Sequence, residues 1–326
     1  MNGRSGNLCP PIYVIPGQGD NPVGALLPLY QSGQLARASI DETLDVIETA
    51  LSEHHDGFDP KLVRKVLLGV APIDAIPVGV PQMSAFATAV CVHRVLERQG
   101  WCPFAIIGQS LGEIASLVCS GVWSIPDGAH AVLAMNSAFR PFEGRGGMVA
   151  MIASEADTLM LLDTLSDSEL VLACVNAPRR TIVSGPDAAL AELAALARRH
   201  SIGSQKLPVP YPAHHPALQA AADEFHDAIA KLPRRDFQVP VYSAVSRRRY
   251  TNSDNLPRLL ADCFTKPYHM PAALEHAGIG HDAIYVDLGM TGIMSRCIRA
   301  ILPSANVLVP TRANPLSPFE RDISNV

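Results

Sequence analysis

The sequence predicts an α/β protein whose core carries an inserted ferredoxin-like small subdomain. Three observations lead there. Short apolar runs end in Gly-rich loops that hand over to helical patterns. A β-α-β-β-α-β succession fills residues 146–207. The chain has 326 residues, 48% hydrophobic and 17% charged, enough for one large domain or a large one plus a small one.

In order along the chain, Ile12 to Ile15 in PPIYVIPGQGD form a short buried strand running into a Gly-rich loop. Residues 22–52 read as mostly helical and amphipathic. PQMSAFATAVCVHRVLERQG is a helix with Pro81 near its start and Gly100 at its stop. PFAIIGQS is the next strand, LGEIASLVCSGVW a helix closed by Gly121, and SIPDGAHAVLAMNSAFRPF a helix with Ser124 as N-cap. Then GGMVAMIAS, EADTLMLLDTLS, LVLACVNAP, RRTIVSGP, DAALAELAALARRH and IGSQKLPV alternate as strand, helix, strand, strand, helix and strand. Helix returns at HPALQAAADEFHDAIAKL, and strands at VPVYSAV and AIYVDLG rejoin the first sheet. The expected division is 1–145 with 208–326 as the large subdomain and 146–207 as the small one. From about Asn314 the chain reads as a fraying end.

A net charge of -5 gives no electrostatic reason to expect nucleic acid or an anionic membrane as partner. No apolar run reaches the length of a membrane span, and the N-terminus lacks the apolar core and cleavage site of a signal peptide. The seven cysteines (Cys9, Cys91, Cys102, Cys119, Cys174, Cys263, Cys297) form no C-x-x-C pair. Buried free thiols in a reducing, cytoplasmic compartment and no zinc site are therefore expected.

The motif that carries chemistry is IIGQSLGEIA, residues 106–115. A Gly-x-Ser-x-Gly between a strand and a helix is the arrangement of a nucleophile elbow around Ser110. The glycines permit a sharp turn and close approach of substrate. The helix N-terminus aims free N–H groups at a developing oxyanion.

With the loop IPGQGD, the elbow GQSLGE, and the segments VNAPRRTIVSG, YPAHHPAL and VDLGMTGIMSRCI in this order, the chain resembles the acyl carrier protein acyltransferases. These include malonyl-CoA:acyl-carrier-protein transacylase and the acyltransferase domains of polyketide synthases. The resemblance runs over nearly the whole chain. It implies an α/β-hydrolase-like core with a ferredoxin-like insert. It implies Ser110 as the nucleophile that accepts an acyl group, and His214 as general base and then acid. His215 is an adjacent rival. His214 is favoured because it precedes one residue and then a proline, as the family's histidine does. Gln18 and the backbone N–H of Leu111 resemble the oxyanion hole, and Asn176 a supporting polar residue. A backbone carbonyl, near where this chain has Cys263 in place of a glutamine, would orient the histidine. The resemblance implies no bound cofactor. The acyl group arrives on the phosphopantetheine of an acyl carrier protein or on coenzyme A, and a polyketide synthase loading module is a further expected partner.

The chain departs from the family at an arginine that binds the free carboxylate of malonyl groups. It lies twenty-five residues after the serine, which here falls on Met135. Arg140 is five positions on, on another helix face. A malonyl carboxylate facing Met135 would be buried and unpaired, so the acyl group is expected to lack one. Ala213, small and just before His214, together with Met135 predicts a roomy, apolar acyl pocket. Gln109 replaces the histidine that usually precedes the serine and, with Asn176, is counted among the expected pocket residues. Basic clusters at Arg198-Arg199, Arg247 to Arg249, and Arg296 with Arg299 are candidate contacts for an acidic carrier protein. Arg296 and Arg299 share a helix face, and Arg299 matches a basic position of the transacylases. The expected function is transfer of a non-carboxylated acyl group, an aminoacyl or dipeptidyl starter of a macrolactam pathway among the options, between carrier proteins. Three readings compete with it: an editing acyl hydrolase, an ordinary malonyl transferase, and a non-enzymatic carrier-binding module.

Overall fold

The computed structural model describes residues 11–18, 21–53, 59–70, 76–166, 169–280 and 282–312; Cys9 and the tail from Asn314 lie outside them. The chain opens on β1 (Ile12–Ile15), wholly buried, followed by α1 (Leu27–Tyr30) and α2 (Gln34–Ser52). α3 (Leu62–Leu67) is a short helix that the hydrophobic pattern did not announce. α4 (Val80–Arg98) has Pro81 in its first turn, where a missing N–H costs nothing, and Gly100 at φ 83° beyond its end. β2 (Ala105–Gly108) leads into α5 (Gly112–Cys119), closed by Gly121 at φ 80°. α6 (Ile125–Phe139) starts at a capping box: Ser124 Oγ accepts from the Asp127 N–H, and the Asp127 carboxylate accepts from the Ser124 N–H at 3.1 Å.

The next six elements follow the expected order: β3 (Gly147–Met151), α7 (Glu155–Leu165), β4 (Val171–Ala177), β5 (Arg180–Gly185), α8 (Asp187–Arg199) and β6 (Ser204–Lys206). The chain continues as α9 (Gln219–Ile229), β7 (Val241–Ser243), β8 (Arg248–Arg249), α10 (Leu256–Thr265), β9 (Tyr268–His269), α11 (Met270–Ala277), β10 (Ile284–Asp287), α12 (Ile293–Ile301) and β11 (Asn306–Leu308).

Two sheets result. The first runs β11-β10-β1-β2-β7-β8, parallel except for β8. Its central strands β1 and β2 are buried along their length, as parallel strands covered by helices on both faces must be. The second runs β6-β3-β5-β4-β9. Its first four strands have the ferredoxin-like order, and α7 and α8 enclose a separate core around Val149, Leu161, Val183 and Leu193. The architecture is thus the α/β-hydrolase-like core with a ferredoxin-like subdomain. β9, from outside residues 146–207, pairs with β4 through Cys174 and Tyr268, so the later chain stitches onto the second sheet.

Of the cysteines described, Cys91, Cys119, Cys174, Cys263 and Cys297 are buried and free; Cys102 is exposed, contrary to expectation. It lies in the surface link that precedes β2. No helix among the described residues is long and apolar enough to cross a membrane.

Candidate active site

The site forms at the carboxyl ends of adjacent parallel strands, the usual place for ligands in α/β sheets. Ile15 of β1 pairs with Gly108 of β2, so the loops carrying Gln18 and Ser110 leave the sheet level with each other. Ser110 sits at φ 54°, a left-handed conformation that a non-glycine residue adopts at a strand-to-helix elbow. The elbow packs so tightly that Gly112 admits no side chain. A Cβ there would lie 2.3 Å from the Ile15 carbonyl oxygen. Leu111 precedes α5, so its N–H is among the amides with no acceptor inside the helix.

His214 also has a positive φ, 59°, on the chain between β6 and α9. Its Nε2 lies 3.0 Å from Ser110 Oγ, and its Nδ1 lies 2.9 Å from the carbonyl oxygen of Lys266. A carbonyl only accepts, so Nδ1 carries the proton and Nε2 is bare toward the serine. The orienting carbonyl is thus that of Lys266, three residues beyond Cys263. Burial lowers the imidazole pKa to about 4, partly offset by the bond to Lys266. The ring is neutral at pH 7 and ready to accept the hydroxyl proton. His215, by contrast, is fully engaged elsewhere. Its Nδ1 accepts from the Ala217 N–H, and its Nε2 donates to the Glu169 carbonyl oxygen, each within 3.0 Å.

Ser110 opens onto a cavity lined by Gln18, Leu111, Ile114, Met135, Phe139, Ala213, Phe225, Leu260, Cys263 and Phe264. Met135 and Ala213 are where the sequence puts them, and among the described residues no charged side chain lines the space. Arg140 follows α6 and is exposed to solvent. The cavity is apolar but not roomy: its volume is about 20 Å³, little more than one water. Phe139, Phe264 and Phe225 stack in series, with centroids 4.3 and 4.8 Å apart, and fill what Ala213 leaves open. A wider groove of about 500 Å³ shares Gln18 and runs past Val78, Gln82, Gly146, Lys206 and Pro210.

Gln109 and Asn176 do not line the cavity. Gln109 Nε2 donates to Asn176 Oδ1 at 3.0 Å, and both bond to the Tyr268 hydroxyl. The Tyr268 ring meets His214 edge-on at 5.1 Å. This polar cluster supports the histidine from β4 and β9, and Tyr268 was not singled out in the sequence. A second unannounced group is Glu113, fully buried in the first turn of α5. Its carboxylate accepts from Ser243 Oγ at 2.7 Å and from the Tyr250 hydroxyl, tying the elbow helix to β7. Burial raises its pKa to about 7 against the opposing hydrogen bonds from Tyr250, Ser243 and the Val245 N–H.

The docking candidates are less free than expected. Arg299 donates to Ser295 Oγ at 2.6 Å and to the Val307 carbonyl oxygen at 2.9 Å, linking α12 to β11. Arg296, exposed, donates to the Thr291 carbonyl oxygen at 3.3 Å.

A serine on an elbow, a neutral histidine on its hydroxyl and an apolar cavity describe a site for acyl groups, and the family model for the acyl transferase domain matches residues 12–288. The chain belongs to the acyl transferase domain family. Polyketide synthase GfsE of Streptomyces halstedii is 31% identical over 236 residues, which is 72% of this chain and 6% of that protein. The chain therefore spans a small fraction of the length of such curated relatives. Among solved structures, a loading acyltransferase from the avermectin modular polyketide synthase superposes with a TM-score of 0.81 at 25% identity, covering 96% of this chain and 98% of its own. A malonyl-transacylase solved in complex with its type II polyketide synthase acyl-carrier protein superposes at 0.83 with 18% identity, covering 96% of this chain and 100% of the other. This acyltransferase fold therefore accounts for both sheets.

Proposed function

We propose that this acyltransferase moves an uncharged, apolar acyl group from a pantetheine thioester to an acyl carrier protein through an ester on Ser110. The observation that carries the reading is the cavity behind Ser110, which holds Met135 and no cation. A malonyl carboxylate there would lose its water and gain no partner. An aminoacyl ammonium fares no better, since no carboxylate among the described residues lines the cavity. A short aliphatic chain meets a mostly apolar surface.

His214 Nε2 takes the Ser110 proton as Oγ attacks the thioester carbonyl. The oxyanion is held by the Leu111 N–H and the Gln18 amide. The C–S bond breaks, and His214 returns the proton to the departing thiolate. A second pantetheine thiol then gives its proton to His214 and attacks the ester, restoring the Ser110 hydroxyl. The Lys266 carbonyl holds the ring throughout. The avermectin loading acyltransferase and the transacylase solved with its carrier protein support a carrier-protein partner.

The test is intact-protein mass spectrometry with carrier proteins bearing acetyl, butyryl, malonyl and alanyl groups, followed by addition of an unloaded carrier. The expected result is an acetyl or butyryl adduct, absent in Ser110→Ala, that moves to the second carrier. An adduct that decays to free acid without transfer identifies a hydrolase. Preferential malonyl loading overturns the argument from Met135.

A further inference from the structure

Nucleophile and base come from distant parts of the chain, and the hydrogen bond between them lasts for only half of the reaction. His214 Nε2 lies 3.0 Å from Ser110 Oγ while the serine is free. Once Oγ carries an acyl group it has no proton to donate, and that bond is gone. The base must still stand at the ester when the second thiol arrives. Something other than the Ser110 hydroxyl has to keep it there.

His214 forms one unit with the segment at the end of α10. Its Nδ1 donates to the Lys266 carbonyl oxygen at 2.9 Å, and the His215 N–H donates to the Phe264 carbonyl oxygen at 3.0 Å. Tyr268, two residues beyond Lys266, meets the imidazole edge-on at 5.1 Å and 74°. The same tyrosine reaches the nucleophile's turn. Its hydroxyl accepts from Nε2 of Gln109, the residue before Ser110, and donates to Asn176 Oδ1. The other hydrogen of Gln109 Nε2 goes to Asn176 Oδ1 at 3.0 Å, so the three side chains form a closed ring. Gln109 is anchored in turn, because its backbone N–H donates to the Ile15 carbonyl oxygen of β1 at 3.0 Å. Gln109 and Tyr268 are buried, at 8% and 4% exposure, where a hydrogen bond is stronger than in water. Burial also pushes the Tyr268 pKa well up, so the hydroxyl keeps its proton.

We infer that Tyr268 is a positioning residue for the second half-reaction: through Gln109 it ties the His214 unit to the Ser110 elbow and holds the base at the ester while the serine hydroxyl is absent. The inference rests on the reading of Ser110 and His214 as the acyl-transfer pair. In that step a pantetheine thiol gives its proton to His214 Nε2 and its sulfur attacks the ester carbonyl. The carbonyl–Oγ bond then breaks, and Nε2 returns the proton to Oγ. Both proton transfers need Nε2 within hydrogen-bond reach of the ester, and the Gln109–Tyr268 bond does not depend on whether Ser110 is acylated.

The test uses Tyr268→Phe, which keeps the ring against His214 and deletes the hydroxyl, and Gln109→Met, which keeps side-chain length and deletes the donor. Acylation is read as the pre-steady-state burst of p-nitrophenolate from p-nitrophenyl acetate. Transfer is read as the pantetheine-dependent steady-state rate at saturating ester, with S-acetylpantetheine confirmed by mass spectrometry. A displacement of about 1 Å costs on the order of 10²-fold. With Lys266 still holding Nδ1, each variant is expected to lose about tenfold in transfer and no more than about threefold in the burst. Half-saturation by pantetheine should be unchanged. The double variant should be no slower than the slower single one, since one link cannot be cut twice. Equal losses in the two steps overturn the positioning role, because a general disturbance of the fold acts on both. Wild-type rates in both steps overturn it as well. If Tyr268→Phe melts early, Gln109→Met supplies the same comparison of steps. A burst that survives in Ser110→Ala, or a wild-type acyl-enzyme that pantetheine does not discharge, refutes the acyl-transfer reading itself and the inference with it.

Discussion

Replacing Glu113 by Gln and His214 by Gln, one at a time, should tilt the pH dependence of stability in opposite directions. His214 has an ordinary pKa of 6.5 and a folded value of about 4. Between those values the unfolded chain binds a proton that the folded chain refuses, so the His214 contribution to stability rises with pH. Glu113 has an ordinary pKa of 4.5 and a folded value of about 7. Here the folded chain holds the extra proton, so its contribution falls as pH rises. One proton corresponds to a slope of about 1.4 kcal/mol per pH unit, and either group alone amounts to roughly 3 kcal/mol over its full range. In the window shared by both, pH 4.5 to 6.5, the two slopes cancel in the wild type. The stability of His214→Gln relative to wild type should therefore fall by about 1.4 kcal/mol per pH unit across this window, and that of Glu113→Gln should rise by about as much. Urea denaturation followed by circular dichroism at half-unit pH steps measures both. A His214→Gln difference that stays flat means the imidazole titrates alike in both states, and the buried neutral base is refuted. The kinetic counterpart is an acylation rate that holds down to about pH 5 instead of failing near 6.5.

Three further variants test the packing. Met135→Arg places a guanidinium in a cavity where no described residue offers a carboxylate, so the free enzyme should lose about 3–5 kcal/mol in denaturant melts. The same variant should acquire a malonyl adduct from malonyl-coenzyme A that the wild type lacks by mass spectrometry. Gly112→Ala drives a Cβ against the Ile15 and Pro16 carbonyl oxygens, at 2.3 and 2.6 Å; the elbow must shift, and acyl-serine formation should drop on the order of 10²-fold. Phe225→Leu shortens the innermost ring of the stack and should extend the accepted acyl chain in the carrier-protein panel, for about 1–2 kcal/mol of stability.

How far the site can be read without coordinates depends on how local each feature is. Ser110 and its glycines are legible because a strand, a turn and a helix within ten residues dictate the elbow. His214 is legible from its short motif, yet its orienting carbonyl at Lys266 is not, because any residue supplies a carbonyl and the choice is made by the path of the chain after α10. The ferredoxin-like order of β3 to β6 was open to pattern reading, since its turns are tight and its periods clean. β9 was not: two residues, Tyr268 and His269, carry no periodicity, and only pairing with β4 makes them a strand. The cavity shows a different failure. Ala213 and Met135 were read correctly as small and uncharged, but a pocket's volume belongs to every wall. Phe139, Phe225 and Phe264 come from three helices, α6, α9 and α10, and they stack into the space that one alanine vacates.

The same logic explains why Gln109 and Asn176 read as pocket residues and are not. A polar residue next to a nucleophile invites a role toward substrate, whereas the side chain of Gln109 is drawn to Asn176 and Tyr268, 67 and 159 positions away. Around Ser110 the chain thus separates its polar partners into two groups on either side of the nucleophile. Tyr268, Asn176 and Gln109 stand beside His214, and Tyr211, Gln82 and Gln18 bond to one another on the other side. The cavity itself is lined mostly by apolar side chains, with Gln18 and Ser110 as its polar members among the described residues. The cavity wall therefore reaches beyond the cavity: Phe139 stacks on Phe264 and also on the ring of Tyr211. An acyl group that seats well against Phe139 leaves Tyr211, and through it Gln18, undisturbed. One that forces Phe139 aside shifts Tyr211 and the Gln18 side chain bonded to it before the carbonyl is attacked. Selection by chain shape should accordingly be expressed in the acylation rate more than in binding.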